Sequence, residues 1–254
     1  MWLLIDGNNW FARDYFASGT AAATTFLRRL SDIRGHLHPE RVAILWDTRS
    51  FRHDLASDYK AGRGEKPPGF GPTMHELRDQ LAIQDVASFS VDGFEADDLI
   101  ATLARQAIDE GCKAMIFSND RDLHQCLVGG CINQITAMRR VRPGEFSLQV
   151  MTAAKLKEQF GVHPHQWVDY RALVGDTSDG IKGCYGIGEG VARSILERFT
   201  DLERFYKRPF EINLSPSQRT KLLNFREKLP DVRRLLRLVD SAPLPATWLE
   251  RIPL

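Results

Sequence analysis

The stretch Gly93-Phe94-Glu95-Ala96-Asp97-Asp98-Leu99-Ile100-Ala101 places three carboxylates within four residues, immediately ahead of an apolar run of helical period. Acids so close together need water or a cation to reach them. Taken alone, the pattern fits a capped helix. Ile100, Leu103, Ala104 and Ala107 recur at three- and four-residue steps up to Gly111, and acidic groups in a first turn complement the helix dipole for about 1 kcal/mol. Similar acids recur along the chain. Asp6 follows the apolar run Trp2-Leu3-Leu4-Ile5, Asp47 ends Arg41-Val42-Ala43-Ile44-Leu45-Trp46, Asp120 and Asp122 follow a run ending in Phe117-Ser118, and Asp176 and Asp179 lie in Gly175-Asp176-Thr177-Ser178-Asp179. Gathered at one edge, Asp6, Asp47, Glu95, Asp97, Asp98, Asp120, Asp122, Asp176 and Asp179 would hold more negative charge than neighbouring carboxylates tolerate, and divalent cations are the natural counter-charge. An all-oxygen donor set without His or Cys selects Mg²⁺ or Mn²⁺. Two such ions, about 4 Å apart, can activate a water and stabilise the leaving oxygen of a phosphodiester. The expected chemistry is metal-dependent phosphodiester hydrolysis.

The elements that would position these acids alternate. Strands are predicted at Trp2 to Ile5, Arg41 to Asp47, Ala87 to Val91 and Lys113 to Ser118; helices are predicted at Thr20 to Leu37, at Thr73 to Leu81 and from Glu95 onward. Such alternation predicts an α/β domain with a mostly parallel sheet and covering helices, whose site lies beyond the carboxyl ends of the strands. Arg52, Tyr59, Lys60 and Arg63 form a basic and aromatic group, followed by a Gly- and Pro-rich stretch from Gly62 to Pro72. That composition cannot hold a helix throughout, so a mobile loop or arch is expected near residues 55–82. From Met151 onward only helices are predicted, at Ala153 to Phe160, Pro164 to Leu173 and Ser215 to Leu229. The chain therefore divides into a catalytic domain over 1–160 and a helical subdomain over 161–254. Gly186-Ile187-Gly188, just before Val191 to Leu196, fits a turn whose exposed amides could hold a phosphate. Beyond it arginine and lysine outnumber the acids.

With 254 residues, 43% hydrophobic and 26% charged, the chain can bury one substantial core and a smaller second one. A net charge of +1 hides a segregation of acids at the sheet edge from bases in the helical half. The four cysteines show no Cys-x-x-Cys spacing and read as reduced thiols, while the seven histidines match no ligand spacing and Trp46 and Trp167 read as packing residues. No leader or membrane-spanning run is evident, so a cytoplasmic protein is expected.

Ile5-Asp6-Gly7-Asn8, Tyr59-Lys60-Ala61-Gly62-Arg63, Gly93-Phe94-Glu95-Ala96-Asp97-Asp98, Ser118-Asn119-Asp120-Arg121-Asp122-Leu123 and Gly175-Asp176-Thr177-Ser178-Asp179 with Gly186-Ile187-Gly188 occur in this order. Together they resemble the bacterial and phage 5′ nucleases, the 5′-to-3′ exonuclease and flap endonuclease family that includes the N-terminal domain of bacterial DNA polymerase I and stand-alone exonucleases of the exonuclease IX type. The resemblance covers Met1 to about Leu238, and with no polymerase region following, a stand-alone member is expected. It implies a PIN-like, Rossmann-like sheet domain followed by a helical helix-turn-helix subdomain of the helix-hairpin-helix type. It also implies that Asp6, Asp47, Glu95, Asp97 and Asp98 hold a first metal, that Asp120 is shared, and that Asp122, Asp176 and Asp179 complete a second. Lys60 and Arg63 match basic residues at the base of the family's helical arch, and with Asp97 and Asp120 they form the expected catalytic group. Tyr59 is expected to stack on a base and Arg13 to contact DNA.

The turn from Gly183 to Gly190 and the helix after it resemble the duplex-gripping module, which often holds a potassium ion. Here the family's Gly-Ile-Gly-Pro-Lys reads Gly186-Ile187-Gly188-Glu189-Gly190, so the phosphate-facing lysine is lost, with Lys182 or Arg193 as candidate substitutes. The expectation is a monomeric, Mg²⁺-dependent replication and repair nuclease that acts on branched DNA with a 5′ end or flap, cuts near the junction and works beside a DNA polymerase. A ribonuclease of the related PIN-like fold and a branched-DNA-binding protein without hydrolysis are the alternatives.

Overall fold

The computed structural model describes residues 1–62, 64–84, 86–142, 145–246 and 248. By packing, these form two compact units. One takes Met1–Ser50, Glu65–Thr152 and the described residues from Val239 onward, and the other takes residues 51–64 and Ala153–Leu238. The expected division at residue 160 runs along the sequence, whereas by packing the 51–64 segment groups with the helical residues and the tail with the sheet.

The sheet unit holds β1 (Trp2–Asp6), β2 (Arg41–Leu45), β3 (Ala87–Phe89), β4 (Ala114–Phe117), β5 (Ile132–Arg142) and β6 (Glu145–Met151), in the order β3-β2-β1-β4-β5-β6. Every neighbouring pair is parallel except β5 with β6, so the mostly parallel sheet is as expected. Trp2, Leu3, Leu4 and Ile5 are at most 1% exposed, which is why β1 reads as an unbroken apolar run; a parallel strand covered on both faces has no polar alternation. β1 pairs with β2 on one side and β4 on the other. The chain order therefore reverses at β1, and the carboxyl edge of that point is where open α/β sheets place their sites.

Helix α1 (Gly7–Ser18) starts at the end of β1, and α2 (Ala22–Leu37) follows with Ala23, Phe26, Leu30 and Ile33 buried on one face. Trp10 of α1 stacks on Phe117 of β4, with ring centroids 4.3 Å apart, and packs against Phe26. Residue 7 must be glycine. A Cβ there would come within 2.8 Å of the Trp46 ring and 2.9 Å of the Leu45 carbonyl oxygen, so a side chain would push the first turn of α1 off the strand ends.

In the helical unit α3 is the short turn Arg52–Leu55, and in the sheet unit α4 (Phe70–Ile83) and α5 (Ala96–Asp109) cover the sheet. Between α3 and α4 the described residues form turns and extended chain without a helix, as their glycines and prolines require. The remaining helices all belong to the helical unit: α6 (Ala153–Phe160), α7 (Trp167–Val174), α8 (Glu189–Phe199), α9 (Leu202–Lys207), α10 (Pro216–Phe225) and α11 (Leu229–Leu236). The helix expected over Ser215 to Leu229 breaks earlier. Continued through Pro230, it would lack a donor and clash with the Arg226 carbonyl, so α10 stops at Phe225 and α11 restarts with proline in its first turn. Arg52, only 1% exposed, ties α3 to the end of α11 by donating to the carbonyls of Leu235 and Arg237 at 2.9 and 2.8 Å. All four cysteines are free. Among the described residues no helix is long and apolar enough to cross a membrane.

Candidate metal centre

In the sheet unit, the strand ends deliver the acids. Asp6 is 4% exposed and caps α1, accepting from the Asn9 N–H at 2.9 Å. Its second oxygen accepts from the Ser118 hydroxyl at 2.8 Å, and the Ser118 oxygen in turn accepts from the Asp120 N–H at 3.1 Å. Asp120 Oδ1 accepts from the Asp122 N–H at 2.9 Å, which closes the turn after β4. Behind this turn lies Gln134 of β5, fully buried, with its amide donating to the carbonyls of Ser118 and Asp120 at 2.8 and 2.6 Å. The Gln134 Oε1 faces His124 Nδ1 at 2.7 Å. Neither Ser118 nor Gln134 is an expected site residue. A hydroxyl inside a strand-end Ser-Asn-Asp-Arg-Asp run and an amide among the isoleucines of β5 were the signals available in the sequence.

On the other side of β1, the Asp47 N–H donates to Asn8 Oδ1 at 3.0 Å, and Asp47 Oδ1 accepts from the Ala96 N–H at 2.8 Å, which fixes the start of α5 beside the end of β2. Glu95 and Asp98 form a reciprocal capping box. Asp97 is half-buried between them in sequence. Asp98, an expected ligand, is fully buried, with one oxygen accepting from the Glu95 N–H at 3.2 Å and the other from the Val239 N–H at 2.8 Å. Successive helical residues point about 100° apart, so Asp97 and Asp98 serve different faces. Asp98 caps α5 and tethers the returning tail.

The electrostatics identify where a cation is wanted. Burial first, then the charge of Asp47 and, more weakly, that of Asp120, push the Asp6 carboxyl from 3.8 up to about 7, against the pull of the Asn9 N–H and the Ser118 hydroxyl. A buried carboxylate facing two others keeps its charge at neutral pH only with a counter-ion. The donors around it are carboxylate oxygens. Burial, helped by the charges of Asp97, Asp240 and Asp98, pushes the nearby Cys126 thiol up, so no thiolate competes. This set fits a hard divalent cation. Arg13, half-buried on α1, donates to the Thr136 carbonyl at 3.3 Å.

The helical unit holds the remaining candidates. Asp176 and Asp179 are 7% and 6% exposed, on a loop closed by paired backbone hydrogen bonds of 2.7 Å between Asp176 and Ile181. Asp176 pairs with Arg171 and accepts from Ser178. The Lys60 N–H donates to the Asp179 carbonyl at 3.2 Å, holding Lys60 against this loop at a positive φ of 57°. The Lys60 ammonium lies 5.0 Å from the centre of the Tyr59 ring. Tyr59 is 7% exposed, with the His53 ring near-perpendicular to it at 5.3 Å, so its ring is buried instead of standing open. Arg63 lies outside the described residues. Lys182, Gly186 and Gly188 are exposed around the turn before α8, whereas Arg193 is committed, donating to the carbonyls of Phe160 and Gln159 at the end of α6 at 3.1 and 3.2 Å.

Residues 1–161 match the family described as 5′-3′ exonuclease, N-terminal resolvase-like domain, and residues 162–252 match 5′-3′ exonuclease, C-terminal SAM fold. The chain belongs to the 5′-3′ exonuclease family. Among curated relatives, DNA polymerase I of Synechocystis is 32% identical over 97% of this chain and 26% of its own length. The thermostable DNA polymerase I of Thermus thermophilus is 36% identical over 80% of this chain and 23% of its own. The chain thus spans about a quarter of the length of these relatives. Among solved structures, the bacteriophage T5 5′-exonuclease with bound zinc aligns with a TM-score of 0.76 at 18% identity, over 94% of this chain and 89% of that one. A T5 flap endonuclease in a pseudo-enzyme-product complex with DNA and metal ions aligns with a TM-score of 0.75 at 20% identity, over 99% and 92%. At such identities these structures speak for the fold, a PIN-like sheet domain with a helical second part.

Proposed function

We propose that this chain is a divalent-metal-dependent 5′ nuclease, a 5′-3′ exonuclease and flap endonuclease that hydrolyses DNA phosphodiesters near the junction of single strand and duplex. The observation that carries the reading is Asp6, a buried carboxyl at the switch point of a parallel sheet, pushed up to about 7 by burial and the acids beside it. Asp6, Asp47, Glu95, Asp97, Asp120 and Asp122 are the residues that would hold Mg²⁺ or Mn²⁺, with Asp176 and Asp179 assigned to a second ion by family resemblance. Such ions would supply charge neutralisation and would lower the pKa of a bound water that serves as the nucleophile. The protein's own residues do the positioning. Ser118 orients Asp6, and Gln134 fixes the turn that carries Asp120. Lys60, and Arg63 by resemblance, would meet the negative charge of the scissile phosphate. The turn at Gly186 and Gly188 would hold duplex phosphates, with the potassium ion that the resemblance implies. DNA with a 5′ end or flap is the substrate, and a DNA polymerase is the partner that would extend up to the cut.

The test is cleavage of an end-labelled 5′-flap duplex in Mg²⁺, comparing wild type, Asp120→Ala and the same labelled strand left unpaired. Wild type cuts at the junction, Asp120→Ala loses at least about 10²-fold in rate while still binding, and the unpaired strand is a poor substrate. Binding without cutting in either Mg²⁺ or Mn²⁺ would make this a DNA-holding protein and overturn the reading. Efficient cutting of unpaired RNA alone would favour the ribonuclease alternative.

A further inference from the structure

The helical unit contains a cavity of about 300 Å³ whose lining includes Lys182, Cys184, Tyr185, Lys221, Asn224 and Lys228. Three lysines therefore line one hollow, and among the described residues no carboxylate pairs with any of them. Gathering like charges at a partly enclosed site without a counter-charge is unfavourable unless an anion arrives. Tyr185 adds a second feature. It is 86% exposed, an unusual position for a tyrosine, and the Lys221 ammonium lies 5.0 Å from its ring centroid. The third feature is a close approach. Gly186 has φ +76°, and a Cβ on it would lie 2.7 Å from the Lys221 Nζ, so this ammonium rests against the backbone of the Gly-x-Gly turn. Position 190, where the family's turn carries a lysine, is glycine here. Lys221 brings a charge to the same turn from α10, 35 positions along the chain from Gly186.

We propose that this cavity is an oxyanion site for one phosphodiester of duplex DNA, with Lys221 as its central charge, Lys182 and Lys228 as its flanks, and Tyr185 packing against the sugar-phosphate chain. The site replaces the lysine missing from the Gly-x-Gly turn. It binds backbone and reads no sequence, because ammonium groups meet phosphate oxygens and the turn presents only main chain. The assignment rests on the nuclease reading above and makes a separate claim about which residues grip the duplex.

The test is binding of a fluorescent blunt duplex in Ca²⁺ at several salt concentrations, using the full chain as wild type, Lys221→Gln, Lys221→Arg and, as a control on the sheet unit, Lys113→Gln. Each phosphate contact contributes about 0.9 to the slope of log affinity against log salt. Lys221→Gln is expected to lower that slope by about one and to weaken binding about 5- to 10-fold near 0.1 M salt, while Lys221→Arg and Lys113→Gln stay within about 2-fold. Matching thermal melts for the two Lys221 variants exclude a folding defect. A second arm adds inorganic phosphate to 10 mM and follows the Gly186 amide by NMR. Saturable shifts together with an unchanged duplex slope in Lys221→Gln would mark a free-anion site and overturn the duplex assignment. An unchanged slope with no phosphate response, in a wild type that cuts flap DNA, would overturn the site while leaving the nuclease reading intact. A wild type that neither binds duplex nor cuts would overturn both.

Discussion

Removing the charge of Asp6 is expected to destroy activity and stabilise the metal-free protein. The Asp6 carboxyl rises from 3.8 to about 7 in the folded state, chiefly through burial. At about 1.4 kcal/mol per unit, such a rise corresponds to roughly 4 kcal/mol, and relaxation around a coupled set of acids brings the expectation to about 2–4 kcal/mol. The sign follows from proton counting. Between pH 4 and 7 the folded chain keeps a proton that the unfolded chain has released, so stability from this group is fully present below about pH 4 and is lost as pH rises through 7. Asp6→Asn carries no charge to penalise. It also retains an oxygen for the Asn9 N–H, and asparagine caps helices as well as aspartate. In EDTA, the variant is therefore expected to exceed wild type by about 2–4 kcal/mol at pH 8, with the gap closing by pH 4. Urea unfolding followed by tryptophan fluorescence reads this in the right place, because Trp2, Trp10, Trp46 and Trp248 all belong to the sheet unit. Adding Mg²⁺ should raise the wild-type midpoint and leave the variant unmoved. A variant no more stable than wild type at pH 8, or a gap that ignores pH, would refute the account of Asp6 as a charge held for a cation.

Two further substitutions separate holding the site from forming it. Gln134→Leu leaves the carbonyls of Ser118 and Asp120 without their buried donor, at about 1–3 kcal/mol for each; the Mg²⁺ concentration for half-maximal cleavage should rise several-fold while duplex binding stays unchanged, and a lower melting temperature with unchanged Mg²⁺ dependence would reduce Gln134 to a packing residue. Asp98→Asn weakens the cap of α5 and the tether to Val239, so it should lose about 1–3 kcal/mol in urea unfolding yet keep its Mg²⁺ dependence within about 3-fold of wild type, and a shift as large as that of Asp120→Ala would return Asp98 to the ligand set.

What the sequence discloses about such a site depends on how far apart the interacting residues lie. Asp6, Asp47 and Asp120 are legible because a central parallel strand is buried on both faces, so its apolar run ends abruptly and the first acid after it marks the carboxyl edge. The hairpin β5–β6 is not among the expected elements. Its alternation, Phe146, Leu148 and Val150 facing one way, lies in a short edge strand, and Gln134 interrupts the apolar pattern of β5 for the sake of the Asp120 turn. Asp97 and Asp98 show a different limit. They are identical in type and adjacent, and only the Val239 N–H, 141 positions away, distinguishes the second as a tether. Lys221 is the same case with the sign reversed: a lysine on an ordinary surface helix acquires meaning only when Gly186 is found beneath its ammonium. Charge at a strand end is therefore a local property and can be read from one sequence. The groups that hold each charge in place, or decide that it serves the fold instead, are contributed by segments whose distance along the chain hides them, and those groups are where substitutions that spare every acid should still disable the proposed nuclease activity.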